Sequence, residues 1–167
     1  MLLAAVFLST LLGSSMALAV PKAPITRRDD ATCLTSEETD DLVAAYVRLV
    51  SEFTEEDGET YLASTFADTS DSINTLSGKA LGSVTFPSKD AFIAAQLAQP
   101  DSPPVEVEEV PVCGCDSIAV IWKATFGDAA QPVRGLSVLK AVVEDDMWKF
   151  AGFDVEFNSI VWQQNIS

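Results

Sequence analysis

Carboxylates carry most of the side-chain chemistry that this sequence could perform. The 167 residues include 25 Asp and Glu but no histidine. A histidine-dependent mechanism is therefore excluded, and any acid–base step falls to an aspartate or a glutamate. The sequence also contains no Ser/His/Asp set, no phosphate-binding loop and no zinc or calcium loop. We predict no cofactor and no metal site.

Arg134 is a basic residue whose position suggests a ligand contact. In a predicted strand at residues 133–144, it shares one face of the pleat with Leu136 and Val138, which predicts a guanidinium that points inward. A buried guanidinium needs a carboxylate partner, and three residues are candidates: Asp68, Asp71 and Asp154. In the functional interpretation Arg134 holds an anionic or enolate ligand. A structural ion pair or an exposed arginine are the alternatives.

Aromatic side chains are candidates for lining a pocket that accepts a flat ligand. Four residues are considered for this role: Trp122, Trp148, Tyr46 and Tyr61. Aromatic residues also bury large areas in ordinary protein cores. Packing in the core is therefore the alternative interpretation for all four.

The three cysteines, Cys33, Cys113 and Cys115, predict one disulfide and one free thiol. Cys113 and Cys115 are two residues apart and point the same way in an extended chain, which disfavours a bond between them. Cys33 is therefore predicted to pair with one of the two. A Cys-x-Cys metal site is the alternative, but three thiolates without a histidine make a poor closed zinc site.

The N-terminal part of the sequence predicts secretion. Residues 1–19 form an apolar stretch that ends in Ala17-Leu18-Ala19, a pattern typical of signal-peptide cleavage. A membrane anchor is the alternative for this stretch. Residues 20–28 end in Arg27-Arg28, which is interpreted either as the dibasic end of a propeptide or as two solvated arginines. Residues 29–167 then form a single domain of an extracellular protein.

The net charge of −15 limits the partners that we expect. Such a charge repels phosphate backbones and anionic membrane surfaces. We therefore expect neither nucleic acid nor, in the mature form, a membrane as a partner. The charge favours solubility but does not identify a ligand.

Hydrophobic periodicity predicts an α+β fold with about three N-terminal helices. The first helix spans residues 36–54, where Thr35 and Glu38 match a capping box. A short second helix is predicted at residues 59–64. The third begins after the N-cap Ser88 and places three residues on its inner face: Phe92, Ile93 and Leu97.

The strands are predicted to form a bent antiparallel sheet that the helices close. A short irregular strand is expected at residues 66–76, and longer strands are expected at 105–112, 117–126, 133–144 and 147–157. The alternation of apolar residues changes parity around Gly152, which predicts a β-bulge in the last strand.

Four stretches of the sequence resemble the nuclear transport factor 2-like superfamily, which includes ketosteroid isomerases, scytalone dehydratases and polyketide cyclases. They are residues 66–74 (FADTSDSIN), 85–89 (TFPSK), 132–135 (PVRG) and 154–158 (DVEFN). Within the superfamily, they are most similar to small secreted fungal proteins. The resemblance covers roughly residues 33–158 and implies a cone-shaped sheet whose interior is an apolar pocket.

The resemblance also implies roles for individual residues. Enzymes of the superfamily often keep a carboxylate general base near the second helix and the first strand. Asp68 and Asp71 lie in the matching region, so they are the candidate catalytic residues. An aspartate in an apolar pocket has a raised pKa that suits proton transfer, and the alternative is that both aspartates cap turns. Arg134 is expected to hold Asp71 ionised inside the cone.

The resemblance bears on the disulfide and on the oligomeric state as well. It favours Cys115 over Cys113 as the partner of Cys33. It also implies a homodimer that forms through the outer face of the sheet, because this face is a frequent dimer surface in the superfamily.

Two functional hypotheses follow from the sequence. The first is a secreted small-molecule-binding or interaction protein whose apolar pocket holds a small apolar ligand without a cofactor. The second is a cofactor-independent isomerase, cyclase or dehydratase of a small secondary metabolite that uses an aspartate as acid and base. The fold by itself does not distinguish them, because one fold hosts many functions.

Overall fold

The computed structural model describes residues 33–99 and 102–167. The elements found there are α1 (Ser36–Ser51), α2 (Glu55–Tyr61), β1 (Leu62–Thr69), α3 (Asp71–Ser77), β2 (Val84–Phe86), α4 (Lys89–Ala98), β3 (Val105–Cys113), β4 (Ser117–Ala124), β5 (Val133–Glu144), β6 (Met147–Phe157) and α5 (Ser159–Asn165). The predicted α+β class is confirmed. The predicted signal peptide and propeptide lie outside the described residues.

The six strands form one mixed sheet in the order β2-β1-β6-β5-β4-β3. Neighbouring strands are antiparallel except β1 and β6, which run parallel with Asp68 opposite Phe153. The prediction of a purely antiparallel sheet is therefore wrong at this pair. Parallel neighbours need a crossover connection, and here the crossover is the whole chain from α3 to β5. Local hydrophobic patterns do not encode a pairing over that distance.

The long strands agree closely with the sequence prediction. β5 and β6 have the predicted bounds, and β4 ends two residues before the predicted 117–126. The β-bulge in β6 is present, because Lys140 pairs with Gly152 while Ala141 pairs with Phe150. Ala151 is thus the extra residue that changes the parity of the strand.

The first helix begins as predicted, whereas the bounds of the second differ. In α1, Thr35 Oγ1 accepts a hydrogen bond from the Glu38 amide at 3.2 Å, and the Glu38 carboxylate accepts one from the Thr35 amide at 2.8 Å. The prediction of residues 59–64 for the second helix is wrong, because α2 begins at Glu55 and contains Gly58. This glycine permits close packing of α2 on α4, since a Cβ atom there would lie 2.8 Å from Ile93 Cγ1.

Two short helices bring the number in the described chain to five. α3 replaces the second half of the strand predicted at residues 66–76. It begins after the N-cap Ser70, whose Oγ accepts from the Ile73 amide at 3.0 Å, and it ends at Gly78 with a φ of 69°. α5 follows β6 after the N-cap Asn158. Each helix has only seven residues, so apolar periodicity hardly reveals it.

The third predicted helix corresponds to α4. Its N-cap is Ser88, whose Oγ accepts from the Ala91 amide at 3.2 Å. Phe92 and Ile93 are buried as predicted, but Leu97 is 56% exposed and does not belong to the inner face. Leu97 lies in the last turn of α4, where the helix has passed the edge of the core.

A disulfide between Cys33 and Cys115 joins the start of α1 to the start of β4. This is the predicted pairing. Cys113 is free and exposed, and its sulfur lies 3.0 Å from Thr39 Oγ1. No group of three His, Cys, Asp or Glu side chains in residues 33–99 and 102–167 could hold a metal ion. Among the described helices, none has the length and apolar character that crossing a membrane requires.

Candidate functional site

A cavity of about 320 Å³ lies between the sheet and the helices. Its lining is mostly apolar, and both helices and strands contribute aromatic residues, including Tyr46, Phe86, Phe92, Trp122, Phe153 and Trp162. The volume is at the lower end of the range for small-molecule sites. An apolar ligand of modest size therefore fits it.

Burial separates the floor of the cavity from its rim. Tyr46 and Trp122 are at most 3% exposed and form the floor together with Phe153, which packs edge-on against Tyr46 at a ring distance of 5.3 Å. The rim contains Gln99, which is exposed, and Trp162, which is half-buried. The less buried part of the lining thus lies at the ends of α3 and α4 and on α5.

Asp68 is the carboxylate in the lining of this cavity. It follows Phe66 by two residues on β1, and because side chains alternate along a strand, both point to the interior. Asp68 is 2% exposed, and its Oδ1 atom has no hydrogen-bond partner within the described chain. This oxygen therefore lacks the backbone N–H partner that the turn-capping alternative requires.

The environment of Asp68 makes its protonated form unusually stable. Burial and, secondly, the negative charge of Asp154 raise the pKa of Asp68 from 3.8 to about 7, while the positive charge of Lys79 opposes the rise. Lys79 does not pair with the carboxylate, because its Nζ donates to the Thr85 carbonyl at 2.6 Å. Near neutral pH, Asp68 can thus accept a hydrogen bond when ionised and donate one when protonated.

A shared hydroxyl group holds two of the aromatic residues on the floor. Ser137 Oγ accepts a hydrogen bond from Trp122 Nε1 at 2.9 Å and lies 2.7 Å from the Tyr46 hydroxyl. All three residues are buried, and burial raises the pKa of Tyr46 well above its ordinary value. Tyr46 therefore stays neutral, and both rings have fixed positions beside the cavity.

Arg134 lies on the outer face of the sheet, so the prediction that it points inward is wrong. Leu136 on the same face of β5 is 46% exposed, whereas Ser137 on the opposite face is fully buried. Arg134 Nε donates to Glu108 Oε2 at 2.8 Å, and 67% of the arginine side chain is exposed. Alternation identifies the residues that share a face, but it does not identify the face that the helices cover.

Asp71 is also separated from the cavity. It lies in the first turn of α3, where its Oδ1 accepts from the Gly82 amide at 2.6 Å, which agrees with the turn-capping alternative. Its own amide donates to Glu156 Oε1 at 2.8 Å. Asp71 and Arg134 thus bond to different partners, and within the described chain no ion pair joins them.

Tyr61 and Trp148 line a separate depression of about 610 Å³ beside α1 and α2. The guanidinium of Arg48 lies over the Tyr61 ring, 5.2 Å from its centre, and Arg48 Nε contacts Asp57 at 3.3 Å. The structure therefore brings Tyr46, Trp122 and Asp68 together in one cavity and places Tyr61 outside it.

The sequence profile of the NTF2-like domain family matches residues 32–167. The chain belongs to this family. No curated protein matches the sequence, so the further comparison is with solved structures.

Several solved structures share the NTF2-like fold of this chain. A putative SnoaL-like polyketide cyclase from Shewanella denitrificans OS-217 is 9% identical with a TM-score of 0.57, over 79% of this chain and 98% of that one. An NTF2-like protein of unknown function from Burkholderia pseudomallei K96243 is 16% identical with a TM-score of 0.54, and the match covers 80% of this chain and 99% of that one. A type 2 hexachlorocyclohexane dehydrochlorinase is 11% identical with a TM-score of 0.50, and the match covers 73% of this chain and 84% of that one. At these identities the likeness is one of fold.

Sequence analysis of this NTF2-like chain missed the contribution of α5 to the site. Trp162 on this helix lines the cavity and packs against Phe126 and Phe157 at ring distances of 4.5 and 4.8 Å. A signal was present, because Asn158 is a good N-cap residue and precedes the apolar cluster Ile160-Val161-Trp162.

Proposed function

We propose that this protein binds a small, largely apolar molecule in a cone-shaped enclosure and that Asp68 holds the one polar group of that molecule. The observation that carries the proposal is the buried Asp68 carboxylate on the wall of an otherwise apolar cavity, with Oδ1 unpartnered within the described chain. A buried polar atom without a hydrogen bond is costly. A ligand hydroxyl or carbonyl supplies the missing partner.

The proposed role of Asp68 predicts opposite pH dependences for two probes of similar size. 1-Naphthol donates a hydrogen bond, so it should bind more tightly at pH 8, where Asp68 is ionised. 1-Tetralone has only an acceptor, so it should bind more tightly at pH 5, where Asp68 is protonated, because the pKa of Asp68 is raised to about 7. Isothermal titration calorimetry measures both. We expect differences of about tenfold, the size of one charged or neutral hydrogen bond.

Two variants make this test specific to the cavity. Asp68→Asn keeps the shape of the side chain but does not titrate, so the affinities of both probes should become independent of pH. Asp128→Asn changes an exposed aspartate and should leave both pH dependences as in the wild type. Wild-type affinities that are the same at pH 5 and pH 8 would contradict the role of Asp68.

A second candidate function is cofactor-free proton transfer with Asp68 as the base. A pKa raised to about 7 suits general acid–base work near neutral pH, and a putative SnoaL-like polyketide cyclase and a dehydrochlorinase share the fold. Asp68 would remove a proton from a carbon next to a carbonyl group and return it to the resulting enolate. In D2O the wild type, but not Asp68→Asn, should then exchange the C2 protons of 1-tetralone for deuterium, as NMR measures. Saturable binding without exchange would leave only the binding function.

We also propose that the protein works outside the cell, as a relative of small secreted fungal proteins of the NTF2-like superfamily. The Cys33–Cys115 disulfide is compatible with an oxidising compartment, and Ala17-Leu18-Ala19 matches a cleavage pattern. N-terminal sequencing of the protein from the culture medium tests this proposal. Material that still begins at Met1 would contradict it.

The outer face of the sheet is the surface that we propose for a homodimer. Leu136 and Val142 on this face are 46% and 37% exposed, and the ion pair of Lys140 with Asp154 lies beside them. Sedimentation equilibrium should show a dimer that Leu136→Lys dissociates. Leu97→Lys changes a residue that is 56% exposed on α4 and serves as the control.

A further inference from the structure

The C-terminal helix α5 contributes Trp162 to the rim of the cavity and packs beside α3. Its ring contacts come from Trp162, which lies on Phe126 and Phe157. The one buried residue of this helix is Asn165. α5 follows the last strand and takes no part in the sheet, so its displacement would leave the strand pairing intact.

Asn165 makes a two-point attachment to the loop before β5. Its Nδ2 donates to the Gln131 carbonyl at 2.8 Å, and its Oδ1 accepts from the Gln131 amide at 3.0 Å. The residue is 3% exposed. The loop also approaches the helix closely at Gly127, which has a φ of 71°, because a Cβ atom there would overlap the Asn165 carbonyl oxygen.

We propose that α5 is a gate over the cavity and that the Asn165–Gln131 hydrogen bonds are its latch. Asp68 on the cavity wall is 2% exposed, whereas Trp162 at the rim is half-buried. Release of the two hydrogen bonds lets Trp162 move away from Phe126 and Phe157, which widens the entrance. The flanking Asn158 is the hinge, since its backbone leaves the strand conformation immediately before α5. The inference rests on the proposed binding function.

The latch has a consequence for modification of the chain. Asn165-Ile166-Ser167 matches the pattern for N-glycosylation, and the nitrogen that would carry the glycan is the one that donates to Gln131. A bulky glycan does not fit at a residue that is 3% exposed. A glycan at Asn165 and a closed latch therefore exclude each other.

A gate has a kinetic signature that a fixed wall lacks. If the ligand enters and leaves only while α5 is open, the association and dissociation rate constants both scale with the open fraction, and Kd stays nearly constant. Asn165→Ala removes the latch. Stopped-flow fluorescence with 1-naphthol at pH 8 should show both rate constants raised about tenfold, as the loss of two hydrogen bonds implies. Gln164→Ala changes the exposed neighbour and should leave both unchanged.

Hydrogen exchange provides a readout that needs no ligand. In Asn165→Ala the amides of α5 should exchange faster than in the wild type, while those of β5 and β6 keep their protection. If the wild type binds 1-naphthol but Asn165→Ala has the wild-type binding rate constants and the wild-type hydrogen-exchange rates in α5, the gate is overturned. The binding function is then left intact. A raised dissociation rate alone would identify α5 as a fixed wall. A wild type that does not bind any of the probes would overturn the function and the gate together.

Discussion

At the scale of single residues, the buried Asp68 carboxyl is where function and stability conflict. Its pKa in the folded protein is raised to about 7 from a reference of 3.8, so the folded state holds the proton more tightly than the unfolded state does. The contribution of this difference to the free energy of unfolding is complete below pH 3.8, and it is lost as the pH rises through 7. The ionised carboxylate thus destabilises the protein at the pH where it best accepts a hydrogen bond.

Asp68→Asn should therefore stabilise the protein at pH 8 and have little effect at pH 4. The difference between the two pKa values corresponds to at most about 4 kcal/mol in the free energy of unfolding. Urea unfolding at both pH values measures it, with Asp128→Asn as the exposed control. The same stability difference between Asp68→Asn and wild type at pH 4 and pH 8 would show that Asp68 is not the titrating group.

At the scale of elements, Glu156 on β6 holds the start of α3. Its carboxylate accepts hydrogen bonds from the Asp71 amide at 2.8 Å, from the Ser72 amide at 3.1 Å and from the Ser72 hydroxyl. These amides belong to the first turn of the helix, where backbone donors have no partner within the helix. An acidic side chain from a distant strand thus caps a helix that forms part of the cavity rim.

Glu156→Ala should lower the free energy of unfolding by about 1–2 kcal/mol, the usual cost of losing a helix cap. It should also speed hydrogen exchange in α3, which lies next to the entrance of the cavity. Glu109→Ala removes an exposed glutamate of β3 and is expected to change stability by less than about 0.5 kcal/mol. Equal effects of the two substitutions would argue against the capping role.

At the scale of the whole molecule, one disulfide joins the helical first half of the chain to the sheet. Cys33 and Cys115 are 82 residues apart in sequence, so the bond restricts a large loop in the unfolded chain. The Leu34 amide also donates to the Cys115 carbonyl at 2.9 Å. The start of α1 is therefore attached to β4 both covalently and through the backbone.

Cys33→Ser should cost about 4 kcal/mol of stability, according to the chain-entropy estimate for a loop of this length. Thermal unfolding under oxidising conditions measures the loss. Cys113→Ser changes the free thiol and provides a control that should unfold like the wild type. If the disulfide restricts the unfolded chain, excess reductant should lower the stability of wild type but not of Cys33→Ser.

The features that the sequence by itself determined are local ones. The capping box at Thr35, the strands at 133–144 and 147–157 and the bulge near Gly152 depend on residues a few positions apart. The spacing of Asp68 from Phe66 belongs to the same group, because strand alternation places both on one face. Each follows from backbone geometry over one or two turns or a single strand.

Other features depend on contacts between distant parts of the chain, and only the tertiary structure decided them. The parallel pairing of β1 with β6 brings Asp68 beside Phe153. Arg134 faces Glu108 because the helices cover the other face of the sheet, a choice that alternation leaves open. Trp162 reaches the cavity because a seven-residue helix packs on Phe126 and Phe157. Side chains from distant segments make this site, so its composition is a property of the packing.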